Sequence, residues 1–579
     1  MTSRPDRTIG LVVFVLATVI PALAFLRFPL NGSLYGSIDI WFYVWQMEEL
    51  FLGLAGTGGE GHVLHPGEHL TSIQESPYGI GALYLPARAW IENPIVVLFL
   101  LTHVVLGLNA LALFSLGRRL RIAPLVMAPV AIAFAFNNFA WSNVENFNAY
   151  ALFPSLFAAA SILATRGARP GKRMFLWVAA GLWFGVQLHF SIYFFAFQLV
   201  LIPALVVMYR GILNDACPSL RDLTAFTVGA SVCIVPFLLT HLHAPTHLQD
   251  PEILWSMVQS NEAHSISLFK DYLRADPGNL ILSPWDDISN PWRSAARSGF
   301  FGFLTYAMLP VAVVILLRDR PGHALGLLAT LVLFMGLSTG PSMHIGEREV
   351  LTPIGLLNEH VPRSALFRHF FRAHLVVIAL SLLVIASALS ALRTGCMHRW
   401  AGRVAILFAV VFCVENLPWT MPTFEQHGML EPPLALRSVE ARHPIANVLI
   451  LPSCHRPSGE DELGPGVNAI NREFIAMVWK TRLDMNLYNG QLSYVPDITM
   501  RNTYHTCDLT ASSLTWLVNN NDIDAFVVLP HIALPGEMDL IEEAFRGWTP
   551  DIAQDGLVYW VDERFRSSAK DTVRTPTSN

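Results

Sequence analysis

The sequence predicts a polytopic α-helical membrane protein that ends in a small extracytoplasmic α/β domain. Of its 579 residues, 53% are hydrophobic and only 14% are charged, and the mean hydropathy is +0.44. An ordinary soluble domain carries about 25% charged residues, so this composition excludes a water-soluble multidomain enzyme and a disordered chain. The net charge of −6 provides no basic field for nucleic acid, and six cysteines are too few for a disulfide scaffold.

Apolar segments suited to membrane-spanning helices recur along the first part of the chain. A transmembrane helix needs about 20 predominantly apolar residues. On this basis we predict about eleven spans, at residues 9–26, 94–116, 122–140, 149–165, 174–189, 193–209, 223–241, 300–317, 323–339, 374–392 and 403–420. Basic residues cluster in the short connections of one side, for example Arg118, Arg119 and Arg121, which places that side and the N-terminus in the cytoplasm.

The chain divides into two domains near residue 420. The first, 1–420, is the membrane domain, with long outer loops at 27–93, 242–299 and 341–373. The second, 421–579, holds 21 Asp and Glu against 12 Lys and Arg, and an odd number of spans places it outside the cytoplasm. The chemistry is therefore expected at the outer membrane face.

Apolar and amphipathic runs predict the elements of the second domain. Strands are expected at 445–452, 524–530 and 556–561, and helices at 512–520 and 537–546. Residues after about 566 are expected to be disordered, because they are polar and terminal. Together these elements predict a small α/β domain.

The first outer loop contains an acidic residue directly after the first span. Asp39, Tyr43 and Gln46 recur at the spacing of one helix face, and the surrounding aromatic residues predict an interfacial helix. A carboxylate in its first turn, beside the headgroups, suits a general base or a metal ligand, so a divalent metal is one possible cofactor. The alternative is that Asp39 only caps the helix.

The connection between the third and fourth spans is rich in asparagine, with the sequence NNFAWSNVENFN at 137–148. Its Asn143, Glu145 and Asn146 form a dense hydrogen-bonding patch suited to a hydroxyl-rich ligand. The alternative is an ordinary hydrophilic turn. His189 lies near the outer end of the fifth span, where polar residues are often functional.

A basic cluster lies before the tenth span, on the side where lysine and arginine are not expected. Arg363, Arg368 and Arg372 are followed by His374, and Arg368 and Arg372 are four residues apart. Because the arginine fork matches phosphate geometry, we expect these side chains to bind a lipid phosphate or pyrophosphate. The alternative is binding of ordinary anionic headgroups.

In this order of elements the chain resembles the bacterial multi-pass membrane glycosyltransferases of the GT-C superfamily. The stretches that carry the resemblance are GSIDIWFYVWQ at 36–46, PRSALFRHFFRAH at 362–374 and DMNLYNGQLSYVP at 484–496. The resemblance implies a bacterial inner-membrane enzyme that uses a polyprenyl-phosphate-linked sugar as donor. It maps the catalytic acidic residue onto Asp39 and the phosphate contacts onto the arginines. Many members carry a paired acidic motif in the first loop, whereas Ile40 follows Asp39 here.

The predicted function is therefore sugar transfer to a glycan, lipid or protein acceptor on the outer face, with membrane lipids as further partners. Asp39 is assigned to catalysis. The residues assigned to substrate binding are Asn143, Glu145, Asn146, His189, Arg363, Arg368, Arg372 and His374. Two alternatives stay open, a transporter or lipid flippase and an inactive GT-C-like scaffold in envelope glycan assembly.

Overall fold

A computed structural model describes most of the membrane domain and the core of the second domain. The described residues are 4–26, 33–35, 39–55, 78–144, 146–213, 218–242, 301–338, 342–345, 348–351, 370–392, 398–416, 423–425, 431–444, 446–452, 476–483, 485–488, 506, 509–533 and 536–561.

Helices dominate the first domain. They are α1 (Arg4–Phe25), α2 (Asp39–Ala55), α3 (Tyr78–Arg88), α4 (Pro94–Arg119), α5 (Pro124–Phe134), α6 (Asn138–Ser142), α7 (Phe147–Tyr150), α8 (Phe153–Ala164), α9 (Pro170–Phe190), α10 (Ile192–Leu213), α11 (Leu220–Leu242), α12 (Phe303–Asp319), α13 (Pro321–Ser338), α14 (Ala373–Leu392) and α15 (His398–Asn416). A helix lies in each of the segments predicted to span. Within the described residues, seven stretches are long and apolar enough to cross a bilayer.

The bundle is built around α14. This helix is apolar on all sides, with 94% of its core segment buried, and it packs against α12, α13, α15 and α5. A helix that is hydrophobic all round belongs inside a bundle. By contrast α1 is only 28% buried and leaves Leu11 and Leu23 exposed, as expected for a helix that faces lipid.

The helices α9 and α11 approach each other closely because small residues line their contact. A Cβ atom at Gly181 would lie 1.9 Å from the carbonyl oxygen of Phe226, and one at Gly229 would lie 2.1 Å from that of Val178. Small residues of this kind allow helix backbones to pack tightly in membranes.

Contacts between distant segments show which helix ends lie at the same end of the bundle. Arg118 in the last turn of α4 pairs with Asp6 in the first turn of α1. At the opposite end, strand β1 (Ser33–Tyr35) follows α1 and pairs antiparallel with β4 (Thr423–Glu425), which follows α15. The first outer loop and the start of the second domain therefore lie on the same side of the bundle. A second two-stranded sheet joins β2 (Ser342–Ile345) and β3 (Arg348–Leu351).

The second domain has a five-stranded mixed sheet in the order β6-β5-β7-β9-β8. The strands are β5 (Asn447–Leu451), β6 (Asn486–Leu487), β7 (Ala525–Val528), β8 (Asp551–Ile552) and β9 (Leu557–Trp560). Strand β5 pairs in parallel with β6 and β7, whereas β9 is antiparallel to β7 and β8. The helices are α16 (Leu434–Arg442), α17 (Ala511–Asn520) and α18 (Glu537–Ala544).

These elements agree with the three predicted strands and the two predicted helices of this domain. The fold class is therefore confirmed in its general form, a membrane helical bundle with a small sheet. The prediction of disorder after residue 566 lies outside the described residues.

Candidate functional site at the outer end of the bundle

The asparagine-rich connection is a break between helices that enters the bundle. Between α5 and α8 the chain forms only the short helices α6 and α7, and Trp141 and Tyr150 are at most 1% exposed. Asn109 of α4 donates its Nδ2 to the Tyr150 carbonyl at 2.7 Å and accepts from the Leu152 amide at 3.1 Å. Asn109 lies about 22 Å along α4 from Pro94, the first residue of this helix, at 1.5 Å per residue. The connection thus reaches well into the bundle.

A second set of buried amides holds the start of α8. Gln187 of α9 donates to the Ala151 carbonyl at 3.0 Å and accepts from the Ser155 amide at 3.1 Å. The Ser155 hydroxyl lies 2.8 Å from the same Gln187 oxygen. Irregular backbone at membrane depth needs such partners, because no water or lipid group satisfies it there. These residues therefore stabilise the helix break.

Three of the five asparagines of the connection have different partners. Asn137 caps α6 through its Oδ1, and Asn143 donates its Nδ2 to the Phe139 carbonyl at 2.9 Å. Asn146 accepts a hydrogen bond at its Oδ1 from the Tyr43 hydroxyl at 3.1 Å. The first two amides shape the connection itself, whereas Asn146 joins it to the helix of the first outer loop.

The predicted helix of the first outer loop exists as α2 and begins at Asp39, and its position at the membrane interface stays a prediction. Tyr43, one turn later, is 4% exposed, and its ring meets the Phe147 ring edge-on at 5.3 Å between centroids. The N-terminal half of α2 therefore packs on α7. The side chain of Asp39, and the whole of Glu145, lie outside the described residues.

Arg372 lies directly before α14. It ends a 3-10 turn (Phe370–Arg372) that leads into α14, is 4% exposed, and stacks over the Tyr193 ring at 4.1 Å from the centroid. Tyr193 is in the first turn of α10, and α10 contacts both α7 and the 3-10 turn. Arg372 is thus linked to the connection through α10. Arg363 and Arg368 lie outside the described residues.

The two predicted histidines occupy different places. His374 is fully buried, and its ring meets Phe139 edge-on at 5.9 Å, so it lies against the connection. His189 instead places its Nε2 2.9 Å from the Cys233 carbonyl and packs against the rings of Tyr78 and Phe237. Of the predicted residues, Asn143 and Asn146 belong to the connection, His374 contacts it through Phe139, Arg372 stacks on α10, and His189 packs against α11 and α3.

Comparison with known proteins finds likeness in structure only. No family model matches the sequence, and no curated protein matches it. The oligosaccharyltransferase of Archaeoglobus fulgidus, tethered to an acceptor peptide with an NVT sequon, superposes with a TM-score of 0.51 at 11% identity, over 95% of this chain and 74% of that one. Its apo form gives 0.51 at 12% identity, over 90% and 69%. That oligosaccharyltransferase is a GT-C glycosyltransferase.

The chain has a GT-C-like membrane fold. The likeness extends over nearly the whole chain, so it covers the helical bundle and the second domain together. The solved neighbours are archaeal, and the bacterial origin expected from the sequence remains a prediction.

The GT-C-like bundle contains an ion pair that the sequence analysis missed. Glu48 of α2 accepts from Arg88 Nε at 2.7 Å, from Arg88 Nη2 at 3.0 Å and from the Tyr84 hydroxyl at 2.5 Å. Burial, followed by the Glu48 charge, raises the pKa of Tyr84, and the hydrogen bond to Glu48 raises that of Arg88. The sequence hints at this ion pair only through an acidic residue, Glu48, in an aromatic-rich helix, because Tyr84 and Arg88 lie about 40 residues away in the chain.

Another carboxylate of α2 connects the bundle electrostatically to the second domain. Burial raises the pKa of Glu49, and the positive charge of Lys480 opposes that rise. Lys480 follows β5 in the chain and belongs to the second domain, so this domain lies close to α2.

The described residues contain no group of three His, Cys, Asp or Glu side chains placed to hold a metal ion. His62, His65, Glu68 and His69 of the first outer loop lie outside the described residues, as does the Asp39 carboxylate. A divalent metal therefore remains only a possibility raised by the sequence.

Proposed function

We propose that this protein is a membrane glycosyltransferase that moves a sugar from a polyprenyl-phosphate-linked donor to an acceptor at the outer membrane face. The observation that carries the proposal is the meeting of three elements in a GT-C-like fold. Helix α2, which begins at Asp39, packs on the asparagine-rich connection, and the buried Arg372 stacks on α10, a helix that also contacts this connection. We also propose the division near residue 420 and the extracytoplasmic side of the second domain.

In the proposed reaction the acceptor hydroxyl attacks the anomeric carbon of the donor sugar. The Asp39 carboxylate takes the hydroxyl proton, the new bond forms between the acceptor oxygen and that carbon, and the bond from the carbon to the lipid phosphate breaks. The phosphate leaves with the bonding electrons. A general base and a stabilised leaving group are the two parts that such a displacement needs.

Arg372 stabilises the leaving phosphate. Its burial lowers the local dielectric, and its stacking on Tyr193 holds the guanidinium plane in one orientation. A guanidinium held in this way is ready before the charge on the phosphate develops, so it favours the transition state over the bound donor. Arg363 and Arg368 are proposed to share this role on the strength of the sequence.

The connection supplies the sugar contacts. Asn143, Asn146 and Glu145 are proposed to recognise sugar hydroxyls, and His374 lines the same region. His189 is proposed with them from the sequence, although its ring packs against α11 and α3. The acceptor is proposed to be a glycan, a lipid or a protein. The Archaeoglobus neighbour was solved with an acceptor peptide, which supports the protein among these three.

The test is a transfer assay with the purified full-length protein in proteoliposomes. A panel of short-chain polyprenyl phosphates carrying single hexoses or pentoses serves as donor, and release of the polyprenyl phosphate is followed by mass spectrometry. Asp39→Asn and Arg372→Ala should each abolish release while the protein still inserts into the membrane. Asp551→Asn, an exposed carboxylate of the second domain, is the matched control and should keep full activity.

Wild-type turnover by Asp39→Asn would refute the assignment of the base. If the wild type itself releases no lipid phosphate from any donor of the panel, the result would favour the inactive GT-C-like scaffold over the enzyme. Transport of an intact lipid-linked sugar across the vesicle membrane, without cleavage, would favour the flippase reading.

A further inference from the structure

We propose that Tyr43 is a positioning residue, which holds the first turn of α2, and with it Asp39, over the asparagine-rich connection. The inference rests on the proposed function and names a residue that this function requires but that touches neither donor nor acceptor. Its basis is the hydrogen bond from the Tyr43 hydroxyl to Asn146 Oδ1 at 3.1 Å.

The position of Tyr43 on α2 makes it suited to this role. Residues four apart in a helix lie one above the other on the same face. Tyr43 is four residues after Asp39, so it attaches the turn that follows the proposed base. Its ring also packs edge-on against Phe147 at 5.3 Å, which fixes the direction in which the hydroxyl points.

A second attachment of α2 lies further along the helix. Glu48 binds Tyr84 and Arg88 of α3, and it lies about 7.5 Å beyond Tyr43 at 1.5 Å per residue. This attachment holds the body of the helix to α3. The bond from Tyr43 instead joins its N-terminal half to the connection that carries Asn146.

The distinction matters because a base must lie within hydrogen-bonding reach of the acceptor proton. Misplacement of a catalytic group by about 1 Å can cost about 100-fold in rate. If Tyr43 sets this placement, its loss lowers the rate of the chemical step and leaves donor binding unchanged.

The test compares two variants that each remove one buried tyrosine hydroxyl. The Tyr43 hydroxyl belongs to α2 and donates to Asn146, whereas the Tyr84 hydroxyl belongs to α3 and donates to Glu48 of α2. Tyr43→Phe should lower kcat about tenfold, which equals about 1.4 kcal/mol, with KM for the donor unchanged. Tyr84→Phe removes a hydroxyl hydrogen-bonded to the carboxylate of Glu48 on the same helix. It should lower the thermal unfolding temperature more than Tyr43→Phe does, but change kcat less.

A double-mutant cycle with Asn146→Ala identifies the partner. If the hydroxyl acts through Asn146, adding Tyr43→Phe to Asn146→Ala should cause no further loss of kcat. Independent, multiplicative losses would overturn the inference, as would a wild-type kcat for Tyr43→Phe or an equal fall of kcat in Tyr84→Phe.

The proposed function is tested separately in the same series. Wild type and Asp39→Asn are assayed side by side, so an active wild type with an inactive Asp39→Asn supports the base whatever Tyr43 does. An inactive wild type would remove the proposed function and, with it, the role inferred for Tyr43.

Discussion

The attachment of α2 through Glu48 is open to a quantitative test. Glu48→Gln keeps the size of the side chain and removes its charge, so Arg88 is left without its carboxylate. Removal of one partner from a buried ion pair costs about 3–5 kcal/mol. The side chain of Arg88 is 16% exposed and keeps contacts with the Ile91 carbonyl and the Phe51 ring. These remaining contacts place the expected loss near the lower end, about 3 kcal/mol.

The assay is unfolding by titration with sodium dodecyl sulfate in mixed micelles, followed by far-ultraviolet circular dichroism. A loss of about 3 kcal/mol corresponds to about a 100-fold shift in the unfolding equilibrium. Adding Arg88→Met to Glu48→Gln should recover part of the loss, because no unpaired charge is left. The control is Asp551→Asn, which breaks an exposed pair with Arg442 and should not change unfolding measurably. If Glu48→Gln unfolds like this control, the pair does not hold α2.

Three further changes test other parts of the structure. Tyr193→Leu should lower kcat about tenfold, with the donor KM little changed, because it removes the ring under Arg372, a contact worth about 2 kcal/mol when desolvated. Tyr193→Phe keeps the ring and should keep kcat, so equal kcat values for the two variants would refute this role. Burial raises the pKa of Glu49 above 4.5, so the stability of the wild type falls as the pH rises through that raised pKa. In thermal unfolding scans, Glu49→Gln should therefore be more stable than the wild type at pH 7 but not below pH 4.5. A difference in stability that does not depend on pH would contradict this assignment. Gly79→Ala should lower the unfolding temperature, because its Cβ would lie 2.4 Å from the His189 carbonyl oxygen, and an unchanged temperature would show that the contact relaxes.

Hydropathy predicted the positions of the helices well, because lipid-facing and buried helices of a membrane protein are both apolar. It did not predict where the connection between α5 and α8 lies. The sequence indicated a polar turn at the outer boundary, whereas Asn109 holds this segment far along α4. The partners are about 40 residues apart in the chain, and no local pattern marks such a pair.

The candidate site was predictable in its residue types but not in its contacts. Arg372 was singled out because it breaks the positive-inside rule, and the structure stacks it on α10, which also contacts the asparagine-rich connection. The ring that orients it, Tyr193, gives no signal, since one aromatic residue at the start of an apolar span is common. His189 was singled out as a polar residue near the end of a predicted span, yet its position on the face of α9 opposite Gln187 turns it toward α11. Which face a residue occupies depends on helix packing.

The partners of the buried amides bear on the choice between an enzyme and a transporter. A transporter needs polar groups near the middle of the membrane that bind and release cargo. The amides of Asn109 and Gln187 are 1% exposed or less, and both bind the backbone where α7 ends and α8 begins. Groups engaged in this way stabilise a fixed helix break, and their release would leave backbone unsatisfied at membrane depth. Arg372, by contrast, lies in the 3-10 turn directly before α14, and the proposed function assigns it to a lipid phosphate. The two buried amides therefore serve the fold, which favours the proposed enzyme over a protein that passes cargo through the bundle.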